Sequence, residues 1–120
     1  MLEIFRRSLR TGVVTTAYPA VPEPAPCAYR GQVMLDASRC TGSGDCVSAC
    51  PSAAISVVYA ADGGWSWELN DARCVFCGLC AEACPEEALQ LSNEYELAVR
   101  RQVDLITHVT FDRDEREETS

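Results

Sequence analysis

The chain has 120 residues, a formal net charge of −8 and eight cysteines. The charge argues against nucleic acid as a partner, and no stretch approaches the roughly 18 apolar residues of a membrane span. A single small domain with tails fits the length, and its core of about 60 residues is marginal on burial alone, so bound metal is the expected supplement.

Residues 1–29 read as an arm. Leu2, Phe5 and Leu9 recur at helical spacing with Arg6, Arg7 and Arg10 between them. This predicts an amphipathic helix that lies on a membrane surface or on partner subunits. Pro19, Pro22, Pro24 and Pro26 then make residues 18–26 an extended strap, suited to running across another surface.

Residues 30–92 hold seven of the eight cysteines. Residues 32–35 read as a strand, 44–50 as a short helix, 55–60 as a strand, 61–64 as a turn and 65–69 as the returning strand. A second short helix over 78–84 and a last strand over 88–91 follow. Trp65 and Trp67 share one face of the hairpin, where packing is their expected role. In residues 93–120, Asn93 caps an expected helix with Glu96 as capping-box partner, running to about Arg101. Residues 103–111 have strand-like or mixed character. The polar, mostly acidic end from Asp112 is expected to be mobile. His108, the single histidine, lies outside the cysteine zone and reads as structural or exposed.

Cys74, Cys77, Cys80 and Cys84, followed by Pro85, form a C-x₂-C-x₂-C-x₃-C-P run. Such a run wraps a cubane iron–sulfur cluster with three thiolates and sends the fourth to a second cluster. The partner half lies 34 residues upstream: Cys40, Cys46, Cys50 and Pro51 match, with Ser43 in the place of Cys77. Leu35, Arg39, Ala54, Ile55 and Val57 fall on Leu69, Arg73, Ala88, Leu89 and Leu91 at the same offset. One supersecondary unit used twice is the natural reading. Each iron takes one soft thiolate. Gly42, Gly44 and Gly78 relax the tight loops between ligands, and Pro51 and Pro85 turn the chain away. Ile55, Val57, Phe76, Leu89 and Leu91 are the expected apolar shell, which shifts cluster potential by keeping water off.

Two other uses of the cysteines fit less well. Disulfides belong to secreted domains, whereas no charged-then-apolar leader is present. Structural zinc also uses C-x₂-C pairs, but explains neither the repeat nor the two x₃-C-P endings. The fold class expected is therefore α+β: a pseudo-twofold, bacterial dicluster ferredoxin-like fold with an N-terminal arm and a C-terminal helix and tail.

The chain also resembles the two-cluster ferredoxin-like subunit of membrane-bound group 4 [NiFe]-hydrogenases, of the formate hydrogenlyase and hydrogenase-4 component H type. That family is related to subunit I of respiratory complex I. The likeness rests on Thr11-Gly12, Tyr18-Pro19, Arg30-Gly31, Trp67-Glu68, the Cys74 to Gly78 loop and the run Leu91-Ser92-Asn93-Glu94-Tyr95-Glu96-Leu97-Ala98-Val99. It covers roughly residues 5–105. It implies a relay that passes single electrons from a donor module towards the hydrogenase-like small and large subunits. Such a subunit has no catalytic residues and no membrane span of its own, and sits on the cytoplasmic, inner face of the cell membrane through its partners. By this likeness Cys74, Cys77, Cys80 and Cys50 hold one [4Fe-4S] cluster. Cys40, Cys46 and Cys84 hold the other, with Ser43 facing its fourth iron. That second cluster is [3Fe-4S] or a Ser-ligated [4Fe-4S], with Asp45 or Cys27 as a substitute ligand. Longer members carry a Cys-rich C-terminal extension absent here, and Cys27 matches nothing in the family. A free soluble ferredoxin, a relay of the NADH-quinone oxidoreductase subunit I type and an interaction module with structural clusters are the alternatives.

Overall fold

The structure is a computed structural model that describes residues 2–112; the acidic end expected to be mobile lies outside them, save Asp112. Leu2–Thr11 forms α1, the helix that the arm's periodicity predicts. Leu2, Phe5 and Leu9 all stand in the open, so nothing among the described residues covers this apolar stripe. Within the cysteine zone come β1 (Val33–Leu35), α2 (Asp45–Ala49), β2 (Ile55–Tyr59), β3 (Trp65–Asn70), α3 (Leu79–Ala83) and β4 (Leu89–Leu91). Each falls where the sequence pattern puts it, within a residue or two.

The 34-residue repeat is written into the backbone. The two five-residue helices α2 and α3 superpose in number at that offset. Gly44 and Gly78 precede them with φ of 81° and 84°, a region open to glycine and strained for other residues. Ala53 and Glu87, also 34 apart, both sit at φ 50°. Each closes a turn after its Cys-Pro step, Ala53 N–H to Cys50 O and Glu87 N–H to Cys84 O.

β1 and β4 pair antiparallel, Val33 opposite Leu91 and Leu35 opposite Leu89, which ties the first half to the second. β2 and β3 form the predicted hairpin, with Ile55 opposite Leu69. The core is small: Val33, Ala54, Ile55, Trp67, Leu69, Cys80, Ala88 and Leu89 are its buried apolar members. Val57 and Leu91 pack on its edge. Phe76 does not join it, and lines a groove with Tyr95 and Leu105. Trp67 is buried, while Trp65 stacks on Phe111 at 3.8 Å between ring centroids.

The expected helix from Asn93 to about Arg101 does not form. That stretch is irregular, and the chain goes on into a 3₁₀ turn, Gln102–Leu105, and β5, Ile106–Phe111. The reason is tertiary pairing. Gly31 N–H bonds Ser92 O, Ser92 N–H bonds Gln32 O and Gln32 N–H bonds Glu94 O, extending the β1–β4 ladder past its ends. Ser92 Oγ, rather than Asn93, accepts the downstream N–H of Glu94. Tyr95 is pinned between the rings of Tyr18 and Tyr29, and its hydroxyl donates to Glu23 O. The strap therefore runs across this chain's own tail. β5 adds to the exposed edge of β3, giving the order β2–β3–β5.

Gly31 makes that ladder possible. A Cβ there would lie 2.2 Å from Glu94 O and 2.6 Å from Ser92 O, both backbone atoms that cannot swing aside. Gly31→Ala is expected to cost about 1–3 kcal/mol, the usual toll of overpacking. Chemical denaturation would register it as a lower midpoint with an unchanged slope.

Candidate iron–sulfur site

One cavity is lined by Cys40, Ser43, Cys46 and Cys84, with Trp65, Trp67 and Glu86 around them. Cys40 to Cys46 comes from the first loop and Cys84 from the end of α3, so the second half contributes a thiol to the first half's loop. The loop is held at Gly42. Tyr59 Oη donates to Gly42 O at 2.6 Å, and Gly42 (φ 73°) lies so close under Trp65 that a Cβ would come within 2.9 Å of the indole.

Cys50, Cys74, Cys77 and Cys80 act on one another as a second group. Burial, first, and then the charges of neighbouring Asp71, Cys50 and Cys77 raise the pKa of Cys74. Burial lifts Cys80 to about 11, with Cys74, Cys46 and Cys77 adding to it. Burial also raises Cys46, with Cys40 and Cys84 as the charged neighbours. The thiols that feel one another thus cross the halves: Cys84 with Cys46, Cys50 with Cys74. The two groups meet at Cys46 and Cys80.

Backbone amides reach the sulfurs. Ala54 N–H lies 3.3 Å from Cys50 Sγ and Ala88 N–H 3.4 Å from Cys84 Sγ, the same turn used twice. Phe76 N–H lies 3.4 Å from Cys74 Sγ. Cys50 is the exception in acidity. Burial would raise its pKa, but the Ala54 N–H and the Ser52 hydroxyl outweigh that and lower it. Arg30 Nη1 donates to Cys77 O at 2.9 Å, bringing a cation beside the second loop.

These features fit a bound iron–sulfur cluster. Thiols crowded enough to suppress one another's ionisation become thiolates when a cation binds. Among the described residues no three Cys, His, Asp or Glu side chains gather on one metal ion; Cys40, Cys46 and Cys84 line one cavity. The Trp67 indole N–H is buried without a hydrogen bond of good geometry. It nevertheless faces Cys46 closely enough to hold that thiol's pKa down against burial. An anionic sulfur is the partner it lacks.

The other residues singled out in the sequence fall elsewhere. Asp45 opens α2, exposed and outside the cavity wall. Cys27 is an exposed thiol in the strap. His108 is exposed on β5, opposite Glu68. Glu86 was not picked out by the sequence reading, though the repeat carries the signal: it stands 34 residues after Ser52, whose hydroxyl lies 3.6 Å from Cys50 Sγ.

Comparison with known proteins agrees. Residues 39–88 match the family described as "4Fe-4S dicluster domain". The chain is 43% identical over 112 residues to formate hydrogenlyase subunit 6 of Escherichia coli, covering 92% of this chain and 62% of that protein. It is 43% identical over 47 residues to F(420)H(2) dehydrogenase subunit I of Methanosarcina mazei, covering 39% of this chain and 27% of the relative. The chain thus spans less than two thirds of either curated relative. A chain in the structure of the membrane-bound sulfane sulfur reductase, an archaeal respiratory membrane complex, matches with a TM-score of 0.61 and 29% identity, over 85% of this chain and 56% of that one. The resemblance read from the sequence is borne out. No helix among the described residues is long and apolar enough to cross a membrane.

Proposed function

Given a chain whose residues 39–88 carry a 4Fe-4S dicluster domain, similar along most of its length to formate hydrogenlyase subunit 6, we propose that it is an iron–sulfur relay. It would pass single electrons between a donor module and the catalytic subunits of a membrane-bound, hydrogenase-like and complex I-related oxidoreductase. The observation that carries the reading is the crossing of thiols between halves, Cys84 with Cys40 and Cys46, and Cys50 with Cys74. In this reading the domain is a pseudo-twofold ferredoxin. Cys50, Cys74, Cys77 and Cys80 hold a [4Fe-4S] cluster, while Cys40, Cys46 and Cys84 hold a second one beside Ser43. The second is [3Fe-4S] or a [4Fe-4S] cluster completed by an oxygen ligand.

Iron–sulfur clusters take up and release single electrons, with potentials set by hydrogen bonds to sulfur, net charge and solvent exposure. This chain's residues supply those levers. The amides of Ala54, Phe76 and Ala88 aim at thiolate sulfur and favour the more negative, reduced state. Ile55 and Leu89 are buried beside the ligand loops and exclude water. The charge of Cys46 acts on Cys80, which links the two thiol groups.

Residues 1–29 would be the docking arm, and the complex would sit at the inner face of the cell membrane. The open stripe of Leu2, Phe5 and Leu9 supports this. Metal analysis of anaerobically purified protein should find about seven or eight irons with matching sulfide; stoichiometric zinc without sulfide would refute the reading. Deleting residues 2–26 should release the chain from its complex while leaving its visible absorption intact. Full co-purification of the shortened chain would remove the docking role and leave the relay standing.

A further inference from the structure

We propose that Glu86 supplies the oxygen donor at the corner of the Cys40, Cys46 and Cys84 site that Ser43 leaves without a thiolate. The proposal rests on the two-cluster reading above and names the ligand which that reading leaves open.

Four observations converge on Glu86. It is the one carboxylate in the wall of the cavity that holds the three thiols and Ser43. Its place in the repeat is that of Ser52, whose hydroxyl lies 3.6 Å from the crossing sulfur of Cys50. The turn is the same in both halves: Ala53 and Glu87, the next residues, share φ 50°, and both turns close onto the crossing cysteine's carbonyl. Position 86 therefore stands beside the Cys84 turn as Ser52 stands beside Cys50, in the same cavity wall as Ser43. Glu86 is also uncommitted. Its neighbour Glu87 pairs with Arg39 at 3.4 Å, whereas Glu86 makes no hydrogen bond or ion pair among the described residues.

The chemistry favours it over the other oxygen and sulfur donors. A serine hydroxyl must lose a proton before it binds iron well, whereas a carboxylate is already an anionic acceptor at neutral pH. Asp45 and Cys27 do not line the cavity. A carboxylate is also a harder donor than thiolate. The fourth iron at this corner is thus held less tightly than the other irons, and its loss would leave [3Fe-4S].

The full chain and its Glu86→Gln, Ser43→Ala and Ser43→Cys/Glu86→Gln variants would be reconstituted anaerobically with ferrous iron and sulfide. Iron content and electron paramagnetic resonance in oxidised and reduced states are the readouts. Glu86→Gln, isosteric and at the surface, is expected to fall from about eight irons to about seven and to show an oxidised-state [3Fe-4S] signal. Ser43→Ala should keep about eight, and the double variant should recover them through its new thiolate. The assignment is overturned if Glu86→Gln matches the parent in iron and spectrum, if Ser43→Ala alone loses the iron, or if the parent itself holds only about seven. The reduced-state signal of the Cys50, Cys74, Cys77 and Cys80 cluster is the internal control. Its absence from every sample would bring down the relay reading itself; its presence with Glu86→Gln unchanged would bring down Glu86 alone.

Discussion

Removing iron with a chelator under reducing conditions will abolish the cooperative unfolding of residues 31–91. The structure has little else to hold it. Among the described residues eight apolar ones are buried, of which only Trp67 and Leu69 are large and fully enclosed. The helices α2 and α3 are five residues each, far below the length at which an isolated helix persists in water. β1 and β4 are three residues each. Without metal, the ligand loops would leave a thiol-lined hole beside the core, walled by Leu35, Val57, Trp65, Trp67 and Leu89. Binding energy at such a site is folding energy. Circular dichroism and amide exchange should show the chelated chain without a sharp thermal transition and without protection at Leu69 and Leu89. A metal-free chain that still melts sharply would show that packing alone suffices.

How far this could be read from the chain depends on where the constraint lies. Ligand spacing is local, so the two loops, α2, α3 and the β2–β3 hairpin were all legible. Their agreement at an offset of 34 is also what the proposed crossing of Cys50 and Cys84 rests on. The segment after Ser92 was not legible. Asn93 and Glu96 are a sound local helix signal, but Gly31 and Gln32 compete for the same backbone and win by adding rungs to an existing ladder. Nothing within ten residues of Asn93 announces that competitor. β5 was half legible for the same reason: residues 106–111 look like a strand, but their register against β3 is fixed by Phe111 stacking on Trp65, 46 residues away. At the site, the cysteines announced themselves, while Glu86 has no motif. The role proposed for it rests on the cavity wall and on a turn shared by positions 52 and 86.

Cys50→Ala will cost the chain the cluster of the other half. Cys50 follows α2 in the first loop unit, but it is among the thiols whose charge acts on Cys74. Its own pKa is lowered, burial being outweighed by the Ala54 amide and the Ser52 hydroxyl, which favours its thiolate. Removing it should leave Cys74, Cys77 and Cys80 one ligand short, and iron should fall by about half, or by one atom if a three-iron cluster survives there. Cys84→Ala should act in mirror image, emptying the site of Cys40 and Cys46 while sparing Cys74, Cys77 and Cys80. The two sites differ at Ser43, so their resonance signals can be told apart in a redox titration. Cys27→Ala is the control, since that thiol is exposed in the strap, and it should leave both signals and the iron count as they were. If Cys50→Ala instead abolished the signal of the Ser43 site, each half would hold its own cluster. The repeat would then describe two separate binding loops rather than one interlocked relay.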